Sequence, residues 1–502
     1  MVSLFDKGSF APCPSPFNMA AHVLRAGEAT PLKTALKQIG TTEEIAWSYA
    51  DLRAAILGTA TGLLRQGLQP GDIILMRLGN TVDTPIAYLA TLAAGLVPVP
   101  TSSALTEPET AHLIRTVKPA LMLRAPGIAC APFGKTVWLN ALQEFRTLPP
   151  APFHLGDPNR LGYIIFTSGT AGQPRAVAHA HRAIWARQMM FENWYGLQPD
   201  DRVLHAGAFN WTYTMGTGLM DPWTRGATAL IPAPGVDPGH LPALLRTQRA
   251  TIFAAAPGIY RQMMARTPAF DLPELRHGLS AGEKLPADTR SRWQQTTGRP
   301  IFEAFGMSEC STFISQAPGQ KTPPGSIGRP QSGRRIALLR DGHPVAFDEE
   351  GTIAIHRDDP GLMLGYYQKD HLDVPVTSGD WFLTGDQAAM AADGSITYLG
   401  RRDDMMNAGG YRVSPIEVET VLTTCPGVSA VAVTCVEIKP NVEVIAAFYT
   451  GPAPLAENVI DAFVSQQLAG YKRPRLYKHM TKLPQGANGK ILRRTLRTQF
   501  ER

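Results

Sequence analysis

The 502-residue chain is longer than a single ordinary core supports, so we expect two or more domains. With 44% hydrophobic and 18% charged residues, its composition excludes an intrinsically disordered protein. The net charge of +6 is concentrated at the carboxyl end, where residues 471–502 hold ten Lys or Arg and one acid, a net +9. Such a tail is typical of a nucleic-acid-binding segment, a solvated face or a lid over a polyphosphate. Nucleic acid is the least favoured of these, because aromatic residues are not interleaved with the charges.

The cysteines and the apolar segments indicate in which cellular compartment the protein is expected. The five cysteines are scattered, without the paired spacing of a zinc site or a disulfide framework, which favours a reducing compartment. Residues 1–16 lack the basic start and apolar core of a signal peptide. The apolar stretch over residues 85–100 is interrupted by prolines and a glycine and is too short to span a bilayer. We therefore expect a cytoplasmic protein without membrane insertion.

Helix-like and strand-like segments alternate through the first half of the chain. Apolar residues at helical spacing predict a helix over residues 49–66, followed by a buried strand over 72–78 and a second helix over 86–96. Further strands are predicted over residues 203–208, 227–231 and 251–255. This alternation predicts an α/β fold with parallel-rich sheets, arranged as layered α/β subdomains.

The pattern changes near residue 400. Short strands are predicted over residues 351–356 and 395–399, before a glycine pair at 409–410. The segments that follow predict a helix over residues 415–423, strands over 428–436 and 442–449, and a helix over 457–468. We expect a large N-terminal domain, residues 1–402, and a small mobile α+β C-terminal domain, residues 403–502, of ordinary domain size.

A strand followed by a polar loop contains the most informative motif. Residues 163–175 read Tyr-Ile-Ile-Phe-Thr-Ser-Gly-Thr-Ala-Gly-Gln-Pro-Arg. Glycines let backbone N–H groups approach a polyphosphate, hydroxyls donate hydrogen bonds, and the terminal arginine neutralises charge. The common P-loop pattern, Gly-x-x-x-x-Gly-Lys-Ser/Thr, is absent. A loop of this kind alone is more often an ordinary strand-to-helix turn.

Five further segments accompany this loop. They are Ser-Ala-Gly-Glu-Lys at 280–284, Glu-Ala-Phe-Gly-Met-Ser-Glu at 303–309, Leu-Thr-Gly-Asp at 383–386, Gly-Arg-Arg-Asp-Asp at 400–404 with Gly-Gly-Tyr-Arg-Val at 409–413, and Leu-Pro-Gln-Gly-Ala-Asn-Gly-Lys at 483–490 followed by Arg493. Together the six motifs resemble, in order, those of the adenylate-forming superfamily of acyl-CoA synthetases, luciferases and peptide-synthetase adenylation domains. The acyl-CoA synthetase branch is the one favoured.

The resemblance implies roles for individual residues. Lys490 and Arg175 would stabilise the negative charge that develops in catalysis, and Glu309 would hold Mg²⁺. Asp386 would accept the ribose hydroxyls, and Phe305 would stack on adenine, with core packing as its alternative role. The implied ATP-binding residues are Thr167, Ser168, Gly169, Thr170, Gly172, Gly282, Glu283, Phe305, Gly306, Ser308, Asp386, Arg401 and Arg412.

The resemblance also implies a hinge and a thiol-side loop. Asp403 would absorb the backbone rotation between two half-reactions, and Gly409, Gly410 and Tyr411 would lie beside coenzyme A. We hypothesise that Asp403→Pro spares adenylate formation and slows thioester formation. Two departures from the family pattern stand out: Arg175 replaces the usual lysine, and Phe305 replaces a frequent tyrosine.

The implied acyl pocket is large and apolar. Its walls would include Trp211, Tyr213, Met215, Gly216 and Gly306, although such side chains commonly pack a core instead. Gly306 would leave room for a ring or a chain. Since residues 209–221 contain no Arg or Lys, a dicarboxylate is disfavoured. The expected acid is an aryl (benzoate-like) or a short-to-medium-chain acid.

These inferences predict an ATP-dependent carboxylate–CoA ligase with ATP, Mg²⁺ and coenzyme A as cofactors. It would form an acyl-adenylate and pyrophosphate, then acyl-CoA and AMP. Coenzyme A is favoured as the acceptor because no carrier domain follows Arg502. A freestanding adenylation enzyme that loads a carrier protein, a luciferase-like oxygenase and a non-catalytic nucleotide-binding protein are the alternatives. A homodimer is left open.

Overall fold

The computed structural model describes most of the chain. The described residues are 1–8, 10–40, 44–167, 174–266, 270–368, 371–374, 377–408, 411–439, 442–468, 470–486 and 491–500. At residues 266, 403, 407, 408, 411, 412, 439, 442 and 471 only the backbone is described.

Helices are distributed along the whole chain. Within the described ranges the α-helices are α1 Met19–Leu24, α2 Tyr49–Leu64, α3 Asp83–Ala93, α4 Glu107–Val117, α5 Leu139–Glu144, α6 Ala183–Ala186, α7 Asp221–Arg225, α8 Leu241–Thr247, α9 Pro257–Arg266, α10 Ala287–Thr297, α11 Pro415–Thr423, α12 Glu457–Ser465 and α13 Arg493–Phe500. Two π-helical segments cover Phe191–Tyr195 and Thr214–Met220.

The strands are mostly short. They are β1 Leu4–Asp6, β2 Thr34–Ile39, β3 Glu44–Ser48, β4 Ile73–Arg77, β5 Val97–Pro100, β6 Leu121–Arg124, β7 Thr136–Trp138, β8 Leu161–Thr167, β9 Arg175–Ala180, β10 Arg202–His205, β11 Thr228–Pro232, β12 Ile252–Ala255, β13 His277–Ala281, β14 Ile301–Met307, β15 Ser311–Ser315, β16 Ser326–Pro330, β17 Arg335–Arg340, β18 His343–Pro344, β19 Glu350–His356, β20 Gly365–Gln368, β21 His371–Asp373, β22 Thr377–Ser378, β23 Trp381–Met390, β24 Ile396–Arg401, β25 Met406–Ala408, β26 Tyr411–Val413, β27 Ala430–Lys439, β28 Val442–Thr450 and β29 Leu476–His479.

One large mixed sheet organises the N-terminal part. Its parallel portion has the order β2-β11-β10-β12-β13-β14 and continues through antiparallel strands from β15 to β1. A second, parallel sheet has the order β5-β4-β6-β7, and an antiparallel sheet has the order β21-β20-β9-β8. A three-stranded sheet, β27-β28-β29, belongs to the smaller C-terminal domain. The predicted α/β fold with parallel-rich sheets and a smaller C-terminal domain is therefore confirmed.

The parallel topology determines where the candidate motifs meet. Carboxyl ends of neighbouring parallel strands lie at the same edge of a sheet, which is where ligands bind in open α/β folds. Strands β10, β12, β13 and β14 are consecutive neighbours in this sheet. The segments that follow them contain the predicted acyl wall and the motifs at 280–284 and 303–309, so these segments share one edge.

Capping residues explain where two of the predicted helices begin. The Ser48 hydroxyl accepts a hydrogen bond of 3.1 Å from the Asp51 N–H at the start of α2. Ser414 caps α11 in the same way, and Pro415 fills the first helical position, which needs no N–H donor. By contrast, α3 begins three residues before the predicted start. Its first residue, Asp83, is buried and ion-paired with Arg146, a long-range partner that no local pattern indicates.

The C-terminal domain has its own apolar core. Side chains of α11 and α12 pack against one face of β27 and β28, and Leu496 of α13 packs against the other face. The predicted domain boundary near Asp403 falls in a 3₁₀ turn, Arg402–Asp404, and stays a prediction. No described helix has both the length and the apolar character needed to cross a membrane.

Candidate active site

The predicted phosphate loop connects two antiparallel strands. In the β8–β9 hairpin, Thr167 is paired with Arg175, so these two residues mark the base of the loop. The loop is therefore not the strand-to-helix turn that its local pattern alone favours. The predicted ATP-binding residues Ser168, Gly169, Thr170 and Gly172 lie outside the described residues.

Arg175 stacks on a tyrosine that the sequence motifs do not include. Its guanidinium carbon lies 3.4 Å from the centroid of the Tyr366 ring. The Tyr366 hydroxyl donates a hydrogen bond of 2.9 Å to Oε1 of Glu309. Burial and the neighbouring Glu309 carboxylate raise the pKa of Tyr366, so its hydroxyl stays protonated and remains a donor. The base of the phosphate loop is thus linked to the predicted metal-binding carboxylate through one side chain.

The backbone carbonyls of the turn that contains Ser308 and Glu309 accept hydrogen bonds from two other segments. The Met363 N–H donates a hydrogen bond of 2.7 Å to the Glu309 carbonyl oxygen. Nε2 of His179 lies 2.7 Å from the Ser308 carbonyl oxygen, and its ring stacks on Tyr163 at 4.8 Å. Burial lowers the pKa of His179 to about 4, so the neutral ring donates from Nε2 at pH 7. His179 therefore fixes the backbone of this turn.

The surroundings of Glu309 fit a magnesium ion bound together with a nucleotide. The carboxylate is half-buried, and Tyr366 is its hydrogen-bond donor among the described side chains. No group of three or more His, Cys, Asp or Glu residues that could form a metal cage occurs in the described part of the chain. Mg²⁺ commonly binds one or two protein carboxylates and completes its shell with phosphates and water. Glu309 can provide such a carboxylate.

The predicted ribose and adenine residues both contact Tyr398. The Tyr398 hydroxyl donates a hydrogen bond of 2.8 Å to Oδ1 of Asp386, and Nη1 of Arg401 lies 3.6 Å from Oδ2. Asp386 and Arg401 are also paired in register across β23 and β24. The Tyr398 ring contacts the Phe305 ring, with 5.2 Å between the centroids. Since each carboxylate oxygen can accept more than one hydrogen bond, Asp386 retains capacity for ribose hydroxyls.

A buried carboxylate supports the turn after β13. Glu303 accepts hydrogen bonds of 2.8 Å from the Leu285 N–H and 2.9 Å from Nη2 of Arg290. This turn contains Gly282, whose φ of +96° favours glycine, and Glu283, whose Oε1 lies 4.0 Å from Nη2 of Arg261. A Cβ at Gly282 would overlap the Trp211 ring. Trp211 thus packs directly on the backbone of the predicted adenine segment.

The predicted acyl-wall residues differ in their exposure. Tyr213 and Met215 are 5% and 3% exposed and pack in hydrophobic cores, and the Tyr213 hydroxyl donates to the Leu279 carbonyl at 3.0 Å. A Cβ at Gly216 would overlap the buried guanidinium of Arg187. Tyr213, Met215 and Gly216 are thus closely packed, whereas Trp211 is half-buried at the sheet edge, and their assignment to the acyl wall stays a prediction.

Gly306 lies where two neighbouring strands approach each other closely. A Cβ there would overlap the backbone of Ser311 and Thr312 on the neighbouring strand β15. The register between β14 and β15 shifts between Phe305 and Gly306, so the glycine permits close approach of two strands at a β-bulge. The space that a Cβ would need at Gly306 is taken up by β15, and the expectation of room for the acid at this position stays a prediction.

Asn80 anchors the start of the acyl wall. Its side-chain amide donates a hydrogen bond of 3.0 Å to the Gly207 carbonyl, and its oxygen accepts one of 3.0 Å from the Phe209 N–H. Asn80 and Phe209 also line a small cavity together with Asn210. This side chain fixes the path of the loop that leads into Trp211.

The predicted residues of the C-terminal domain are only partly described. Lys490, Gly409 and Gly410 lie outside the described residues, and Asp403, Tyr411 and Arg412 are described by their backbone alone. The ends of the segment that contains Lys490 are fixed by a β-bridge between Gln485 and Ile491. An ion pair of 2.6 Å between Arg493 and Glu419 anchors the start of α13.

The structure adds residues to the predicted site. Tyr366, Tyr398 and Glu303 each contact a predicted site residue or support its turn. Glu303 was within a recognised motif and could have been singled out as a buried carboxylate. Apart from the nearby glycines at 365 and 400, no sequence pattern around Tyr366 or Tyr398 indicates a site residue. Their contacts depend on strand pairing, which a local pattern does not show.

Family models match both parts of the chain. A model described as AMP-binding enzyme matches residues 23–367, and one described as AMP-binding enzyme C-terminal domain matches residues 417–490. A mitochondrial acyl-coenzyme A synthetase of Pongo abelii is 27% identical and aligns with 91% of this chain and 83% of its own. A 3-hydroxybenzoate–CoA ligase of Aromatoleum sp. (strain CIB) is 27% identical, over 90% of this chain and 91% of its own.

A solved structure shows the same arrangement of the chain. The anthranilate CoA ligase AuaEII in complex with anthranoyl-AMP superposes with a TM-score of 0.87 at 25% identity. The match covers 97% of this chain and 98% of that one. Both domains therefore have counterparts in a protein crystallised with an acyl-adenylate.

Proposed function

Because the chain belongs to the AMP-binding enzyme family, we propose that it is an ATP-dependent carboxylate–CoA ligase. It joins a carboxylate to AMP with release of pyrophosphate, then transfers the acyl group to the thiol of coenzyme A with release of AMP. The observation that carries the proposal is that Arg175, at the base of the predicted phosphate loop, and Glu309, the predicted Mg²⁺ ligand, both contact Tyr366. Named relatives that are acyl-CoA synthetases and CoA ligases support it.

In the first step, the residues of the site bind ATP and stabilise charge. Asp386 accepts hydrogen bonds from the ribose, and Phe305 packs beside the adenine. Attack of the carboxylate on the α-phosphate increases the negative charge on the phosphate oxygens, which preorganised cations stabilise. Arg175 at the base of the phosphate loop supplies one cation, and Lys490 of the C-terminal domain supplies a second.

Glu309 is the residue proposed to hold Mg²⁺. The ion would neutralise charge on the phosphates when bound. The half-buried position of Glu309 and its hydrogen bond from Tyr366 support this assignment. His179 contributes by holding the Ser308 carbonyl, which keeps the turn in place.

The second step is assigned to the thiol-side loop of the C-terminal domain. We place Gly409, Gly410 and Tyr411 beside the pantetheine arm of coenzyme A. The hinge between the two domains is assigned to Asp403. The turn Arg402–Asp404 lies between β24, the last strand of the large sheet, and the β25–β26 hairpin, which supports a hinge at this point. The boundary between residues 1–402 and 403–502 follows from the same assignment.

The proposed acid is an aryl, benzoate-like carboxylate. Two relatives support this choice, since one is a 3-hydroxybenzoate–CoA ligase and the other an anthranilate CoA ligase. Trp211 at the sheet edge offers a flat apolar surface for a ring. A short-to-medium-chain acid is the second candidate, favoured by the acyl-coenzyme A synthetase relative. We place the enzyme in the cytoplasm, in keeping with its five free cysteines.

Pyrophosphate release from MgATP tests the proposal. The assay uses a panel of aryl, short-chain and medium-chain acids, each with and without coenzyme A. We expect release that depends on the acid, is greatest with an aryl acid and increases on addition of coenzyme A. Acid-dependent pyrophosphate release that coenzyme A does not increase would instead indicate a carrier-protein acceptor. No pyrophosphate release with any acid of the panel would refute the ligase.

A further inference from the structure

Tyr366 lies between two parts of the site that are far apart in the sequence. Strand β20 pairs with β9, with Gly365 opposite Ala178 and Tyr366 opposite Val177. The Leu364 N–H extends this pairing with a hydrogen bond of 2.8 Å to the Ala178 carbonyl. One residue earlier, the Met363 N–H donates to the Glu309 carbonyl at 2.7 Å. The backbone around Tyr366 is therefore hydrogen-bonded both to β9, which follows the predicted phosphate loop, and to the turn that contains Glu309.

The Tyr366 side chain makes the same two connections. Its ring, 5% exposed, lies 3.4 Å from the Arg175 guanidinium carbon, and its hydroxyl donates to Oε1 of Glu309 at 2.9 Å. The ring contact is within the range of a cation–π interaction. The hydrogen bond restrains rotation of the carboxylate, because a buried phenol has little freedom to follow a moving partner.

We propose that Tyr366 is a positioning residue that orients the Glu309 carboxylate for the divalent cation of the bound nucleotide, and that Arg175 holds the Tyr366 ring in place. The inference rests on the proposed function, because the cation arrives with ATP. With Oε1 held by the Tyr366 hydroxyl, the direction of the whole carboxylate, Oε2 included, is restrained. Outer hydrogen-bond partners of metal ligands have this effect generally, since they fix the ligand in its binding orientation.

The inference also explains why arginine occupies position 175. A lysine would keep the positive charge at the base of the phosphate loop. It lacks the planar guanidinium that lies flat on an aromatic ring. Arg175 therefore has a packing role on Tyr366 in addition to its charge.

Tyr366→Phe is the variant that isolates the hydroxyl, since it keeps the ring and its contact with Arg175. The matched control is Tyr367→Phe, which removes a hydroxyl from the next residue on the opposite face of the strand. Tyr367 packs against a different set of apolar side chains. Mn²⁺ serves as the probe: its binding to the enzyme with a non-hydrolysable ATP analogue is followed by electron paramagnetic resonance. AMP binding in EDTA is measured by calorimetry in parallel.

We expect Tyr366→Phe to weaken Mn²⁺ binding in the nucleotide complex by roughly 10- to 100-fold, the usual effect of losing an outer partner. AMP binding in EDTA and the Tyr367→Phe control should match the wild type. Arg175→Lys should weaken Mn²⁺ binding less, and its effect should not add to that of Tyr366→Phe, because both act on one carboxylate.

Two results would overturn the inference. Wild-type Mn²⁺ affinity in Tyr366→Phe would show that Glu309 needs no such support. Equal loss of AMP and Mn²⁺ binding would show general damage to the site. Failure of the proposed function is a separate outcome, because it would appear as wild-type enzyme that releases no pyrophosphate with any acid while the Mn²⁺ titration still gives a result.

Discussion

The Tyr398 hydroxyl lies 2.8 Å from Oδ1 of Asp386 and donates a hydrogen bond to it. Asp386 is buried and Tyr398 is half-buried, and the Tyr398 ring also contacts Phe305. One tyrosine thus connects the residue proposed for the ribose with the residue proposed for the adenine. Its loss should affect nucleotide binding in particular.

We predict that Tyr398→Phe weakens AMP binding by about tenfold, since a hydrogen bond to a charged group contributes about 1.5–3 kcal/mol. The hydroxyl holds one carboxylate oxygen, and without it Asp386 can turn away from the ribose. Calorimetric titration with AMP measures the effect. Thr397→Val, at the exposed neighbouring position, is the control. Unaltered AMP affinity in Tyr398→Phe would contradict the assignment of Asp386 to the ribose.

The proposed hinge gives a prediction about the two half-reactions. Asp403→Pro should leave acid-dependent pyrophosphate release near the wild-type rate and slow acyl-CoA formation, because proline fixes φ and restricts the rotation of the C-terminal domain. Asp403→Ala removes the same carboxylate but keeps backbone freedom, so it should retain both half-reactions. Single-turnover assays of each step separate the two. Equal loss of both steps in the proline variant would argue against a hinge at this residue.

We expect a buried ion pair beside the proposed acyl wall to be needed for stability. Nε and Nη2 of Arg187 lie 2.9 and 2.6 Å from the two oxygens of Asp221, and the Asp221 side chain is fully buried. Asp221→Ala would leave the buried Arg187 charge unpaired, which costs about 3–5 kcal/mol of unfolding free energy. Denaturant unfolding measures this loss.

Glu274→Ala is the comparison for Asp221→Ala. It breaks the exposed Arg249–Glu274 pair, whose atoms are 3.0 Å apart. Exposed pairs contribute at most about 1 kcal/mol. If the two variants were equally stable, the Arg187–Asp221 pair would not have the structural role assigned to it.

Because the protein buries histidines, we expect its free energy of unfolding to fall in acid. Burial lowers the pKa of His205 to about 3, from an ordinary value of 6.5. The unfolded chain therefore binds a proton that the folded protein excludes, so stability is fully present above pH 6.5 and falls as the pH drops towards 3. The slope for one such group is about 1.4 kcal/mol per pH unit.

His205→Phe keeps an aromatic ring and removes the titrating group. We expect a shallower fall in its denaturant midpoint between pH 6.5 and 4 than in the wild type. The same substitution at exposed His343 is the control. Parallel curves for wild type and His205→Phe would mean that this histidine does not contribute to the acid sensitivity.

Local signals predicted much of the fold. Helix α11 occupies the predicted residues 415–423, because Ser414 and Pro415 define its start. Strands β10, β11 and β12 overlap the predicted strands, because their apolar runs are short and bounded by polar residues. The start of α3 was missed because its first residue, Asp83, is stabilised by Arg146 from a distant segment.

The candidate site was less predictable than the fold. Motif residues such as Phe305 and Asp386 could be identified from the sequence, but their link through Tyr398 depends on the pairing of β23 with β24. Tyr366 reaches Glu309 only because β20 joins the sheet of the phosphate loop. The close approach of β15 to Gly306 depends on a β-bulge, which no feature of the motif at 303–309 indicates.

The ligase assignment is tested most directly by mass spectrometry of the products formed from MgATP and an aryl acid. Without coenzyme A, the account predicts an acyl-adenylate and pyrophosphate. With coenzyme A, it predicts the acyl-CoA and AMP in equal amounts. Formation of ADP and phosphate, or the absence of any acyl-adenylate with aryl, short-chain and medium-chain acids alike, would contradict it.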